Sequence, residues 1–197
     1  MYLNLAHWLK GTRALGPGKR LAIWVQGCCF DCTGCIAQSW RKRRRAKLIG
    51  PEELAKLDLD GVDGITISGG EPFLQAKPLA AYLKSAKETY PGLSVIIFTG
   101  FTRDDLTWSS ALGLIEHVDL LITGPYIPEQ NNGTGLRGSA NQELIFLTDR
   151  LKPWAEEIVS GQRSVELYYR GNELLIVGMP EEKVLKSILG EIEELEK

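Results

Sequence analysis

Outside one short segment the chain has no cysteine, and its 197 residues include only two histidines, His7 and His117. A disulfide framework, in which cysteines spread out to close loops, is therefore excluded. Two histidines with no paired spacing offer little for acid–base chemistry or a histidine-held metal. No stretch reaches the roughly 18 apolar residues of a membrane span, and the amino end lacks the apolar run of an export signal. A cytoplasmic protein with no membrane association is the expectation. A Gly-x-Ser-x-Gly elbow is missing. Gly18-Lys19 is no phosphate loop either, since Arg13 replaces its first glycine and Arg20 its Ser/Thr. Without a recognition motif for DNA or RNA, nucleic acid is not an expected partner.

What is present is unevenly placed. An apolar share of 44% and a charged share of 24% describe one ordinary globular domain. The net charge of −2 conceals a split: residues 1–50 carry ten Lys/Arg against one acid, Asp31, which is +9, so the remainder sums to −11. The densest stretch is Arg41-Lys42-Arg43-Arg44-Arg45-Ala46-Lys47. Such a run reads as a solvated face, as a dock for an acidic protein or electron donor, or as a phosphate-binding surface. All four cysteines, Cys28, Cys29, Cys32 and Cys35, fall within eight positions, which suits a metal or cluster site in a reducing compartment.

Four short apolar runs each end in a glycine-bearing turn: residues 21–25 at Gln26-Gly27, 65–68 at Gly69-Gly70, 95–98 at Thr99-Gly100 and 120–122 at Thr123-Gly124. Helical patterns lie between them. Pro51 and Pro78 suit first helical positions, and Thr102 with Asp105 forms a capping-box variant. Strand, turn and helix in alternation predict a parallel α/β domain with its chemistry at the carboxyl ends of the strands. Residues 144–147 supply a fifth strand. Beyond them, runs 165–169 and 174–177 flank Gly171-Asn172 as a hairpin. A final helix follows Pro180, with Leu185, Ile188, Ile192 and Leu195 on one stripe.

The cysteines allow two ligand registers. Cys28, Cys32 and Cys35 give C-x3-C-x2-C, whereas Cys29, Cys32 and Cys35 give the C-x2-C-x2-C of bacterial ferredoxins. Three thiolates in the first register leave one iron open to a substrate. A structural zinc prefers two ligand pairs separated by a longer loop.

Trp24-Val25-Gln26-Gly27-Cys28, continuing to Cys32-Thr33-Gly34-Cys35, resembles the cluster loop of the radical S-adenosylmethionine enzymes. It is most similar to the activating enzymes of anaerobic ribonucleotide reductase and their relatives that activate glycyl-radical enzymes. Gly16-Pro17-Gly18, Ser68-Gly69-Gly70-Glu71-Pro72 and the stretch from Leu136 to Gln142 agree with it in order, so the similarity spans about residues 1–150. Cys29 is extra to the motif, and Thr123 stands where these activators commonly carry an acid.

The resemblance implies a [4Fe-4S] cluster on Cys28, Cys32 and Cys35, and S-adenosylmethionine held by Gly69, Gly70 and Glu71, the last on the substrate ammonium. By position, Thr66, Ser68, Thr99, Ser139, Asn141 and Gln142 are further candidates for the cofactor. It also implies an open, partial TIM-type barrel of parallel strands with a C-terminal hairpin and helix. Residues 1–150 would form the core and 151–197 an extension packed on it, in a single domain. The implied partners are a glycyl-radical enzyme such as anaerobic ribonucleotide reductase and a flavodoxin or ferredoxin reductant. The alternatives are a radical enzyme acting on a small molecule or peptide, and a non-catalytic iron-sulfur carrier using Cys29.

Overall fold

The computed structural model describes residues 1–170 and 173–195. Four strands, β2 (Arg20–Val25), β4 (Gly64–Gly69), β5 (Ser94–Phe98) and β6 (Leu120–Thr123), run parallel and side by side at the centre of a mixed sheet. They coincide with the four apolar runs. Every residue of β2 is buried, as continuous Val/Ile/Leu runs require when both faces are covered. The register sets Trp24 beside Ser68 and Val25 beside Gly69, so the cysteine loop and the glycine turn leave adjacent strands at the same height.

On one face Ile23, Val25, Ile65, Ile67, Val95 and Ile97 pack against α2 (Pro51–Leu54), α3 (Ala76–Thr89) and α4 (Ser109–Ile115). Each such side chain, fully buried, contributes roughly 1.5–3 kcal/mol. The other face is covered by later parts of the chain. Ile96, Leu120 and Ile122 meet Leu136, Leu151 and, from α5 (Ala155–Ser160), Ile158, while Ala22 and Trp24 meet Trp40 of α1 (Gln38–Arg41) and Val177 of the hairpin β8 (Val165–Arg170) and β9 (Glu173–Gly178).

The fold departs from the expectation in several places. The sheet has seven strands, ordered β3-β1-β2-β4-β5-β6-β7. Its added members β1 (Leu3–Thr12) and β3 (Lys47–Ile49) are antiparallel to their neighbours. Two register shifts in β1 break the alternation that would have revealed it. The fifth predicted strand, β7 (Glu143–Phe146), is also antiparallel. Its link from β6 contains only the short 3-10 turn Pro128–Gln130, with no crossover helix to return the chain to the far end. Pro78 is the third residue of α3 rather than the first. Thr102 and Asp105 do bond reciprocally, but they close an isolated turn, and α4 begins later, at Ser109.

The hairpin turn Gly171-Asn172 lies outside the described residues. α6 (Glu182–Leu195) follows Pro180; Leu185 and Ile188 are half-buried, and the side chains of Ile192 and Leu195 lie outside what is described.

At the amino end of β2, Arg20 is wholly buried. Its guanidinium donates to the Pro17, Ile65 and Ser94 carbonyls and to the Thr66 and Ser94 hydroxyls. Gly16-Pro17-Gly18 wraps this arginine, so that motif belongs to the base of the sheet. Burial holds Arg20 down at about 9, opposed by the charges of Asp119 and Asp63.

Candidate active site

The carboxyl ends of the parallel strands open on a cavity of about 300 Å³. Cys28, Cys32 and Cys35 line it together with Ser68, Gly69, Gly70, Glu71 and Thr99. Cys29 is exposed and absent from the lining. The geometry therefore favours the C-x3-C-x2-C register.

The glycine turn is stitched to the cysteine loop. Gly70 N–H donates to Val25 O at 2.7 Å and Glu71 N–H to Gly27 O at 2.8 Å. Gly69 has φ +107°, and a Cβ on Gly70 would overlap the Gly27 carbonyl. Only glycine permits this approach. On the other side Gln26 and Gly27 follow Asn4 and Trp40: Gln26 N–H donates to Asn4 O and Gly27 N–H to Trp40 O, each at 2.8 Å.

Glu71 is buried at the back of the cavity. Its Oε1 accepts from Phe73 N–H at 3.0 Å and from the Thr99 hydroxyl at 2.8 Å, and its Oε2 from Gly100 N–H at 2.8 Å. Burial nonetheless outweighs these bonds and pushes the carboxyl up to about 7. Three of roughly four acceptor positions are taken, which leaves a desolvated carboxylate with room for a further donor, such as an ammonium.

Thr66, Ser139 and Asn141 do not line the cavity. The Thr66 hydroxyl lies in the Arg20 network and donates to Leu15 O; Ser139 Oγ accepts from Ile127 N–H; Asn141 Nδ2 donates to Pro125 O. Thr66 and Ser139 are satisfied by their own surroundings, whereas Asn141 is so only through Nδ2, its buried Oδ1 having no hydrogen-bond partner. Gln142 does reach the lining, but its amide bridges Gly138 N–H and Gly124 O, and thereby shapes the loop. Thr99 touches the cavity while holding Glu71.

The sequence reading missed the far wall. Ile176, Gly178, Met179, Pro180 and Leu185 complete the lining. Arg163 fastens them: its Nε donates to Gly135 O, its Nη1 to Asn131 Oδ1 and Met179 O, and its Nη2 to the Thr134 and Arg137 carbonyls. Glu166 adds a second tie, accepting from Thr12 Oγ1 and, at 3.0 Å, from Arg13 N–H.

The donor set fits an iron-sulfur cube. Among the described residues no three Cys, His, Asp or Glu side chains converge on one ion, whereas in a cube each thiolate takes a separate iron and the three surround a shared space. Burial raises the Cys28 and Cys35 thiols. A backbone N–H opposes it in each, from Phe30 and Ala37, and the negative charges of neighbouring Cys32 and of Glu71 push Cys28 further up. Thiols that disfavour one another's ionisation gain most from a cationic centre between them.

A family model described as "4Fe-4S single cluster domain" matches residues 14–145. An anaerobic ribonucleoside-triphosphate reductase-activating protein of Vibrio cholerae is 34% identical over 143 residues, covering 68% of this chain and 91% of that protein. The chain belongs to the radical S-adenosylmethionine activase family. Two other activases are similar. The reductase-activating protein of Enterobacteria phage T4 is 29% identical over 140 residues, covering 68% of this chain and 88% of its own length. A pyruvate formate-lyase-activating enzyme of Staphylococcus aureus is 23% identical over 153 residues, 73% of this chain and 61% of its own. In this activase the matched family region stops at residue 145, so the far wall with its Arg163 clasp lies beyond it. Among the described residues no helix is long and apolar enough to cross a membrane.

Proposed function

We propose that Cys28, Cys32 and Cys35 hold a [4Fe-4S] cluster, that Gly69, Gly70 and Glu71 hold S-adenosylmethionine against it, and that the product radical takes hydrogen from a glycine of a partner enzyme. One observation carries the reading: three thiols and a buried, raised carboxyl face one cavity across a turn only glycines can make. When bound, the cluster supplies one low-potential electron that splits the sulfonium into methionine and a 5'-deoxyadenosyl radical.

The chain's own residues do the rest. Glu71 takes the ammonium in its charged form and Thr99 fixes the carboxylate's orientation. Gly69 and Gly70 let the ligand's polar end approach the backbone. Trp24, Phe98, Ile176, Met179 and Leu185 exclude water from a radical. We read the sheet as the wall of an open barrel, residues 1–150 as its core and the remainder as an extension closing one side. The partner class is a glycyl-radical enzyme of the anaerobic ribonucleotide reductase kind, the reductant a flavodoxin or ferredoxin, and the compartment the cytoplasm.

Anaerobic reconstitution, reduction and an assay for 5'-deoxyadenosine test the reading. Product is expected, together with a glycine-centred electron spin resonance signal when the partner is added; no product and an unchanged cluster spectrum with S-adenosylmethionine would overturn it. Cys28→Ser should lose most bound iron and Cys29→Ser should keep it. The opposite result would favour the carrier reading.

A further inference from the structure

We infer that the basic segment 42–47 is a preformed docking ridge for an acidic one-electron carrier protein, placed to deliver charge through the backbone of Cys28. The inference rests on the cluster assignment above. Lys42, Arg43, Arg44, Arg45 and Lys47 are all exposed. Among the described residues, the ion pairs of the run are limited to Arg41 with Asp31. Five cations without acids would ordinarily mark a solvated, mobile stretch.

Here the backbone is pinned instead. Asn4 uses both ends of its amide, donating to Arg44 O and accepting from Ala46 N–H, each at 2.8 Å. Gln26 Nε2 donates to Lys42 O at 2.6 Å and to Trp40 O at 3.2 Å. Residues 47–49 are then tied to β1 as strand β3. Holding like charges together costs free energy, and a partner of opposite sign recovers it without further ordering.

An exposed apolar side chain adjoins the ridge: Leu48, next to Lys47 and opposite Asn4, is 39% exposed. An apolar contact beside cations has the anatomy of a small, transient docking patch.

The partner's chemistry follows from what the ridge touches. Cys28 N–H donates to Arg41 O at 2.9 Å and Arg43 Nε donates to Cys28 O at 3.1 Å. One hydrogen bond thus separates the outer surface from the backbone of a cluster ligand. None of residues 42–47 lines the cavity. A glycine to be radicalised must enter that cavity, whereas an electron needs only a short bonded path. In the step served, one electron leaves the carrier's flavin hydroquinone, which becomes a semiquinone, and reduces the oxidised cluster by one.

The test compares cluster-loaded wild type with an Arg44→Glu/Arg45→Glu variant, whose side chains touch neither cysteines nor cavity, using an acidic flavodoxin as the probe. Binding of oxidised flavodoxin is read by interferometry, and reduction of the cluster by flavodoxin hydroquinone by stopped flow. We expect binding at least about tenfold weaker and reduction slowed by a similar factor at low salt, with the difference shrinking between about 20 and about 500 mM salt. Dithionite should reduce both proteins equally and yield equal 5'-deoxyadenosine. Unchanged flavodoxin binding overturns the ridge. So does a loss confined to a short DNA or RNA duplex, or to the glycyl-radical partner. If wild type makes no 5'-deoxyadenosine with dithionite, the cluster reading fails instead.

Discussion

Glu71 combines two demands on a single carboxyl. Burial raises it to about 7 from the ordinary 4.5, so the ligand-free fold holds its proton more tightly than the unfolded chain does. That contribution to stability is complete below about pH 4.5 and is lost as pH rises through about 7, amounting to about 3 kcal/mol. Binding of an ammonium needs the opposite, ionised state. Calorimetry should therefore show ligand-free stability falling from pH 5 to 8 while S-adenosylmethionine affinity rises between pH 6 and 8. Glu71→Gln should weaken that affinity about tenfold or more and flatten its pH dependence; an unchanged profile would remove the ammonium role.

Arg20 is the counterpart at the other end. Arg20→Met should cost about 3 kcal/mol or more in denaturant unfolding at constant slope, because the Thr66, Ser94 and backbone acceptors it serves lose their donor.

The elements show what a sequence can and cannot disclose. That the cysteine loop and Gly69-Gly70-Glu71 share one cavity was legible because thiols and glycines crowd the ends of adjacent parallel strands. The central strands were legible from continuous apolar runs. Thr66, Ser139 and Asn141 lie off the lining, a placement the sequence could not give, because a hydroxyl or amide near a strand end serves backbone and ligand equally well. β1 was hidden by its bulges. Arg163 gave no signal, since its bonding partners at 131–137 lie more than 25 positions upstream and Met179 lies 16 away. As a fastener it has a measurable effect. Arg163→Ala should raise amide hydrogen exchange across β8, β9 and the start of α6 while leaving the parallel strands protected, and the iron content should hold.

At the scale of the whole molecule, a cavity walled by residues from 15 to 185 couples ligand binding to the integrity of the entire chain. S-adenosylmethionine at about 100 times its Kd should stabilise the cluster-loaded protein by about 2.7 kcal/mol. On the proposed reading the ligand's polar end meets cluster iron, so the cluster-free protein should show a much smaller shift in thermal unfolding. The charge split has its own large-scale sense: with +9 on residues 1–50 and −11 on the rest, the exposed basic run 42–47 gives a field that steers a charged visitor before contact.

The three-residue strand β3 ends the sheet, and an unpaired sheet edge invites a second copy to continue it. Lys42 to Lys47 set a fence of like charge along that edge. Repulsion between two copies depends on the charges having the same sign, not on which sign they have. Alanines in place of Arg44 and Arg45 leave the cations Lys42, Arg43 and Lys47 and should keep the protein monodisperse, whereas glutamates set two acids among those cations, mixed signs that let two copies pair. Light scattering of the charge-reversed variant at low salt should therefore show self-association, and its docking is to be read below the concentration at which that begins.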